Sequence, residues 1–369
     1  MKNAAALNTL RALSRSGLTA EAFIPAALEV LHRIVPSYRN LFDWTDPQGN
    51  LIRYYFEGPI DHRIAGLYFE EFHNRREGEA MPEFRQSING RALIRSAEEL
   101  DRPEFYRSSL YNEIWRPQGL HTRIEAIVKG ARGQPLGSLV LYRAAGDPSF
   151  RREDEHTLLQ AASYVARGLQ SGSQAPSVDD FAEATRRRAS LNLGPHGELM
   201  HLSADALKLL MLAHGGVTPD SVTRSPRRED FGTLNLLWQH HERGRGMSRE
   251  GLSLSIENAW GRFVFDSDTM APIDAGDRPL IHVGIQHFEP RSVAVRRSLD
   301  SLPLSPTQRE VCALVRQGRT PGEIGAALSV AQSTVTDHLR KIYAKLDVHS
   351  AGELATRLRD LEARASAGQ

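Results

Sequence analysis

Apolar positions along this chain change period several times, and each change marks an element. Leu7, Leu10 and Leu13 recur every three residues, which predicts an amphipathic first helix within 1–17. Phe23, Ala27, Val30, Leu31 and Ile34 predict a second helix that ends before Pro36. Tyr38–Trp44 and Leu51–Phe56, joined by Pro47-Gln48-Gly49-Asn50, read as a β-hairpin. An aromatic-rich stretch between Leu67 and Arg116 mixes short helical patterns with loops. Two strands follow, Arg123–Lys129 and Leu136–Arg143. A helix from about Glu153 to Leu169 then shows Leu158, Leu159, Ala162, Val165 and Leu169 on one face. Gln170–Asp180, rich in Ser, Gly, Gln and Pro, reads as a linker.

The pattern then restarts. Ala189–Leu193 and Glu198–Leu202 flank the turn Gly194-Pro195-His196-Gly197 as a second hairpin. A helix is expected at about 203–213, with Ser203 as its cap, and another at Phe231–His241. Leu252–Glu257, Trp260–Asp266 and Leu280–Phe288 read as three strands. Val293, Val295, Leu299 and Leu302 make a short amphipathic segment that runs directly into a different kind of unit. Ser305-Pro306-Thr307-Gln308 is an N-cap, an N1 proline and a capping-box Gln, and Thr320-Pro321-Gly322-Glu323 repeats the device. Ser329-Val330-Ala331 is a three-residue turn. Val335, Leu339, Ile342 and Leu346 then place one apolar stripe on a third helix, Gln332–Leu346. Short capped helices around a tight turn are the helix-turn-helix pattern. No internal repeat is visible along the chain.

The polar face of that third helix carries the candidate chemistry. Thr336, Asp337 and Arg340 are the expected base readers, because Arg offers a bidentate fork to guanine and a carboxylate can accept from a cytosine amino group. The alternative for Asp337 is pairing with Lys341 one turn on. Ser333, Thr334, Lys341 and Lys345 are the expected backbone contacts, Lys being a point charge suited to phosphate. Residues 303–348 carry a net charge of +2, so a single copy should bind weakly and a homodimer is expected. The whole 369-residue chain carries only +1, so binding to double-stranded DNA must rest on this local patch. His338 is expected as a wedged, hydrogen-bonded residue. Arg186-Arg187-Arg188 is read as a solvated face and not as a DNA arm.

These motifs carry a resemblance. Gln308-Arg309-Glu310-Val311, Glu323-Ile324-Gly325, Ser333-Thr334-Val335 and His338–Val348 resemble the LuxR-type DNA-binding domain over about 303–358. That resemblance implies transcription regulation, with the third helix in the major groove and a fourth helix, Ala351–Leu358, at a dimerising end. Two positions depart from the family: Ala331 stands where a Ser cap is usual, and Ser329 where Gly is common. Helix, hairpin, irregular insert, strands and closing helix over 18–170 resemble a GAF-type sensor, with Gly137–Arg143, Phe150, Asp154 and Leu158 as the signature. Residues 181–289 resemble a PAS-type domain. The expected organisation is α+β: an N-terminal helix (1–17), a GAF-like domain (18–170), a linker (171–180), a PAS-like domain (181–289), a connecting helix (290–302) and an all-α, four-helix LuxR-type domain (303–369).

Other functions are argued against. Neither a Gly-x-Ser-x-Gly elbow nor a His-Glu-x-x-His pair occurs, so no catalytic residue is assigned and no enzyme is expected. Acidic residues placed as in a phosphorylated receiver, the aromatic-and-Asp box of an acyl-homoserine-lactone domain and a phosphate loop ending in Lys-Ser/Thr are all missing. The single cysteine, Cys312, reads as a core thiol and leaves none for a covalent chromophore. His62, His73, His121, His240 and His241 read as surface or packed histidines, with non-covalent haem held by one of them as the alternative, so neither metal nor cofactor is expected. No apolar run approaches the roughly 18 residues that span a bilayer, and a cytoplasmic protein is expected. The front end is therefore expected to sense a small apolar or aromatic ligand. The candidate lining is Trp44, Tyr54, Phe56, Tyr68, Phe69, Phe72, Tyr106, Tyr111, Trp115, Ile124 and Val128. The alternatives are that these rings fill a core, or that the front domains bind a protein partner.

Overall fold

The computed structural model describes residues 2–171, 181–182, 187–243, 251–273, 278–300 and 302–366. Helix α1 (Lys2–Leu13) lies against α2 (Ala20–Ile34), which starts on Thr19 as N-cap and buries Phe23, Ala27, Leu31 and Ile34. Strands β1 (Arg39–Thr45) and β2 (Leu51–Phe56) form the expected hairpin. The irregular insert holds α3 (His62–Leu67), α4 (Phe84–Asn89), the two-residue β3 (Ile94–Arg95) and α5 (Pro103–Arg107), with wide turns at Tyr68–Phe72 and Leu110–Trp115. Strands β4 (Thr122–Lys129) and β5 (Pro135–Arg143) and helix α6 (Arg152–Ser171) complete the unit.

The first antiparallel sheet has the order β2-β1-β5-β4-β3. Its pleat sorts side chains by parity. Phe42, Leu139, Leu141, Ile124, Ala126 and Val128 fill one buried face, and α2 and α6 pack on the sheet. Gly168 lets α6 approach closely, since a Cβ there would sit 2.3 Å from the Phe23 ring. The opposite face carries Leu41, Asp43, Val140, Tyr142, Arg123 and Glu125, beneath the insert.

The second unit repeats that plan. Strands β6 (Arg187–Leu193) and β7 (Leu199–Leu202) form a hairpin. Helices α7 (Ala206–Ala213), α8 (Pro219–Thr223) and α9 (Gly232–Arg243) come next, and then β8 (Ser253–Asn258), β9 (Gly261–Met270) and β10 (Leu280–Phe288). The sheet order is β7-β6-β10-β9-β8, the same second-first-fifth-fourth-third order as in the first unit. Ser203 does not cap α7. Its hydroxyl accepts from the Ser190 amide, and Asp205 precedes the helix. Arg186 of the basic triplet and all but Phe181 and Ala182 of 172–186 lie outside the described residues.

One apolar core runs through both units, from Ala6 to Val293. Tyr54 bridges Val217, Trp44 meets Trp260 edge-on at 5.9 Å, and the fully buried Lys208 of α7 donates to the Phe56 carbonyl and, at 3.3 Å, to that of Gly58. A second core starts at Val295 on α10 (Arg291–Asp300). It continues through α11 (Pro306–Arg316), α12 (Pro321–Leu328), α13 (Gln332–Leu346) and α14 (Ala351–Ser366). The architecture is α+β. Among the described residues no helix is long and apolar enough to cross a membrane.

Candidate functional site

Helix α13 is positioned from its apolar side. Val335, Leu339 and Ile342 are buried against α11 and α12, while Ser333, Thr334, Thr336, Asp337, Arg340 and Lys341 are exposed along the opposite face. Both expected capping boxes form: Ser305 with Gln308, and Thr320 with Glu323. The turn between α12 and α13 has two weak points. Ser329 holds φ +56° and Ala331 supplies no side-chain cap. Cys312 is fully buried, and burial pushes its thiol up to about 12.

Three polar groups on α13 differ from expectation. Asp337 faces Arg340 at 3.6 Å, not Lys341. Lys345 is exposed, but its ammonium donates to the Pro303 carbonyl at 3.0 Å and to Gln308 at 2.9 Å, which makes it a strut inside the head. His338 keeps Nδ1 buried with no hydrogen-bond partner among the described residues. Thr336 donates back to the Gln332 carbonyl at 3.0 Å, an exposed bond that a new acceptor can replace. On α14, Leu354 and Leu358 are buried in the head core, and the helix packs along α10.

A family model described as "Bacterial regulatory proteins, luxR family" matches residues 302–358. Residues 302–358 are a LuxR-family DNA-binding domain. The chain thus carries a LuxR-family DNA-binding head behind a long N-terminal region that the family model does not match. No curated protein matches the chain. Among solved structures, the VqmA–ligand–DNA complex of Vibrio cholerae is similar at 16% identity, covering 48% of this chain and 84% of that one, with a TM-score of 0.24. The free methionine-R-sulfoxide reductase of Neisseria meningitidis is similar at 14% identity, covering 46% and 89%, with a TM-score of 0.28. The DhaR(N)–DhaL complex of E. coli gives 11% identity, 76% and 87% coverage and a TM-score of 0.25. At such scores these three likenesses carry no weight for fold or function.

The chain also contains a cavity of about 140 Å³ between the first sheet and its insert. Tyr54, Phe56, Tyr68, Phe69 and Trp115 line it, together with His73 and Phe84. Trp44, Ile124 and Val128 do not, because strand parity turns them to the other face of the sheet. Phe72 packs beneath Arg76 outside the cavity. Tyr106 and Tyr111 belong to a separate cluster in which Tyr106 stacks on His121 at 4.7 Å and the Tyr111 hydroxyl meets His121 Nδ1 at 2.8 Å.

The floor of the cavity is polar, which the aromatic pattern did not reveal. Asp43 of β1 accepts from Ser138 at 3.0 Å, and Arg123 and Glu125 of β4 pair at 2.9 Å. Glu77 accepts from the Tyr68 hydroxyl at 2.8 Å and the Phe84 amide at 2.9 Å. All four charged groups are buried. Burial, reinforced by Glu125, pushes the Asp43 carboxyl up to about 8. Burial also raises Glu77 and lowers His73 to about 4. The readable signal was a charge at alternate positions of apolar strands, Asp43 in β1 and Arg123-x-Glu125 in β4.

Proposed function

We propose that the chain is a one-component transcription regulator whose DNA binding is set by a small ligand held in the cavity of its GAF-like first unit. The PAS-like second unit braces that site. In this reading Thr336, Asp337 and Arg340 read base edges, and Ser333, Thr334 and Lys341 meet phosphates. Two copies act on one site, since a single head of net charge +2 offers few phosphate contacts.

One observation favours control by the front units: Asp300, at the end of α10, joins the sensor to the head. Its carboxylate takes Arg33 of α2 at 2.7 Å and Arg309 of α11 at 3.3 Å. Nearby, Arg297 of α10 holds Glu29 of α2 at 3.0 Å and also Glu289. Helix α2 lies on the sheet whose far face floors the cavity, so a ligand that shifts the sheet also loads this ion-paired joint.

The test begins with selection of bound duplexes from a random library, followed by titration at several salt concentrations. Arg340→Ala is expected to relax preference at one base position, a loss of roughly 1–3 kcal/mol in discrimination. Lys341→Ala should weaken all sequences alike and reduce the salt slope by about one. Equal loss on every sequence for Arg340→Ala would remove it as a base reader.

A further inference from the structure

We propose that the cavity beneath the insert binds a small organic cation, a ring of about six to ten heavy atoms bearing a protonated nitrogen. The inference rests on the reading of this cavity as the ligand site and adds the chemical class of the ligand.

Size sets the first limit. The cavity of about 140 Å³ is close to the roughly 150 Å³ of an engineered apolar cavity that takes a benzene ring. A mononucleotide or an acyl chain with a headgroup does not fit inside it. The walls set the second limit. The rings of Tyr54, Tyr68 and His73 each lie 5.0–5.7 Å from that of Phe69, tilted or edge-on to it, so this wall offers a ligand ring both edges and faces. Those faces carry negative charge density that attracts a cation.

The floor decides the charge. Asp43, Glu77 and Glu125 supply three carboxyl groups against the one guanidinium of Arg123, and Glu125 already holds that guanidinium at 2.9 Å. An incoming carboxylate or phosphate meets three carboxyl groups and a single guanidinium, whose Nη1 stands 2.9 Å from Glu125 without a hydrogen bond. A purely apolar ring would strip remaining solvation from the carboxyl groups and give them nothing in return. An ammonium presents three donors and no acceptor, which suits a floor where three carboxyl groups face one guanidinium.

Hydroxyl groups give an independent sign. Tyr54 and Tyr142 are more than nine-tenths buried and line the cavity. Neither hydroxyl has a hydrogen-bond partner among the described residues. Neither oxygen is among the buried unpartnered atoms, so both hydroxyls open onto the cavity, where a ligand can pair them. Tyr142 lies in the row of Arg123, four residues along β5 from Ser138, which pairs with Asp43 of β1.

Three ring-matched probes test the class on the full-length protein: benzylamine, benzyl alcohol and benzoate. Binding is read by calorimetry and by thermal shift at pH 8.5, above the value of about 8 to which burial pushes the Asp43 carboxyl, so that this group is ionised while the amine keeps its proton. Benzylamine is expected to bind at least about tenfold more tightly than benzyl alcohol, and benzoate not to bind. Asp43→Asn, which keeps the shape and the bond from Ser138, is expected to bring benzylamine down to the level of the alcohol. Tyr142→Phe, which removes a single oxygen, is expected to weaken benzylamine several-fold and leave the melting temperature of the free protein near that of the wild type. Benzyl alcohol or benzoate binding as tightly as benzylamine would overturn the cationic class and leave the cavity standing as a ligand site. Benzylamine binding unchanged in both variants would overturn the location. No binding of any probe at millimolar concentration would overturn both this inference and the sensing role of the cavity.

Discussion

Ser329 and Ala331 flank Val330 in the turn before the reading helix, and each carries a local cost. Ser329 holds a left-handed backbone at φ +56°, where a Cβ costs roughly 1 kcal/mol. Ala331 leaves the first turn of α13 without a side-chain acceptor, again about 1 kcal/mol. Ser329→Gly and Ala331→Ser should each slow amide exchange in the first turn of α13 about fivefold, as expected for a gain of that size. Unchanged exchange in both would mean that the turn is stabilised by its neighbours and not by its own residues. Asp43 makes a pH-dependent prediction at the same scale. Its carboxyl is pushed from 3.8 to about 8 in the fold, first by burial and then by Glu125. The folded protein therefore keeps a proton that the unfolded chain gives up, and this stabilisation is lost as pH rises from about 4 to about 8. His73 works oppositely, from 6.5 down to about 4, because its neutral form is the folded one. That contribution is common to both proteins and cancels when Asp43→Asn is compared with wild type. The melting temperature of Asp43→Asn should exceed that of wild type by a margin that grows between pH 5 and pH 8, reaching about 5 °C or more. A margin independent of pH would show that Asp43 is ionised in the fold.

Among the elements, the strands show what was legible and what was not. Alternation placed β1, β2, β4, β5, β9 and β10 within a few residues, because each has a sharp turn at one end and a repeating pleat between. Both capping boxes of the head were readable for the same reason, being short-range bonds between residues three apart. Choosing the face of a strand was harder. Ile124 and Val128 looked like pocket residues, yet both faces of β4 are buried, so hydrophobicity alone did not say which face met the insert. The charges of Arg123 and Glu125 said so. The repeated strand order of the two units was invisible because it is a property of pairing and not of any shared residue pattern. Equally hidden was the joining of the units by Lys208, a lysine inside an apolar helix whose ammonium meets the Phe56 and Gly58 carbonyls and lies 4.4 Å from the centre of the Tyr55 ring. Lys208→Met keeps the stem but leaves two carbonyls without that donor. It should cost about 2 kcal/mol and lower the melting temperature by several degrees. An unchanged melting temperature would mean that burying the amine offsets its bonds.

At the scale of the whole molecule, three helices meet at one carboxylate. Arg33 of α2 and Arg309 of α11 converge on Asp300, and Arg309 also donates at 3.3 Å to the backbone carbonyls of Asp300 and Leu302. Asp300→Ala leaves two guanidinium groups facing each other across α10. Helix α10 stays on α2 through Arg297 and its acidic partners, so the change falls on the junction with the head. The stability cost should be small, about 1 kcal/mol, because these pairs are partly solvated. The coupling should suffer more. If a cavity ligand changes DNA affinity by some factor, linkage requires DNA to change ligand affinity by the same factor. In Asp300→Ala both factors should move toward one, whichever direction the ligand drives in the wild type. Measuring DNA affinity with and without saturating benzylamine, and benzylamine affinity with and without DNA, checks the two sides of that cycle. A factor unchanged by the substitution would assign the coupling to the other contact between α10 and the head, where Val295 and Leu299 share a core with Leu354 and Leu358 of α14. That contact buries the apolar face of α14, the helix expected to join two heads. Transmission through it would act on pairing of the heads and would depend on protein concentration, whereas transmission through Asp300 reorients α11 within one chain and would not.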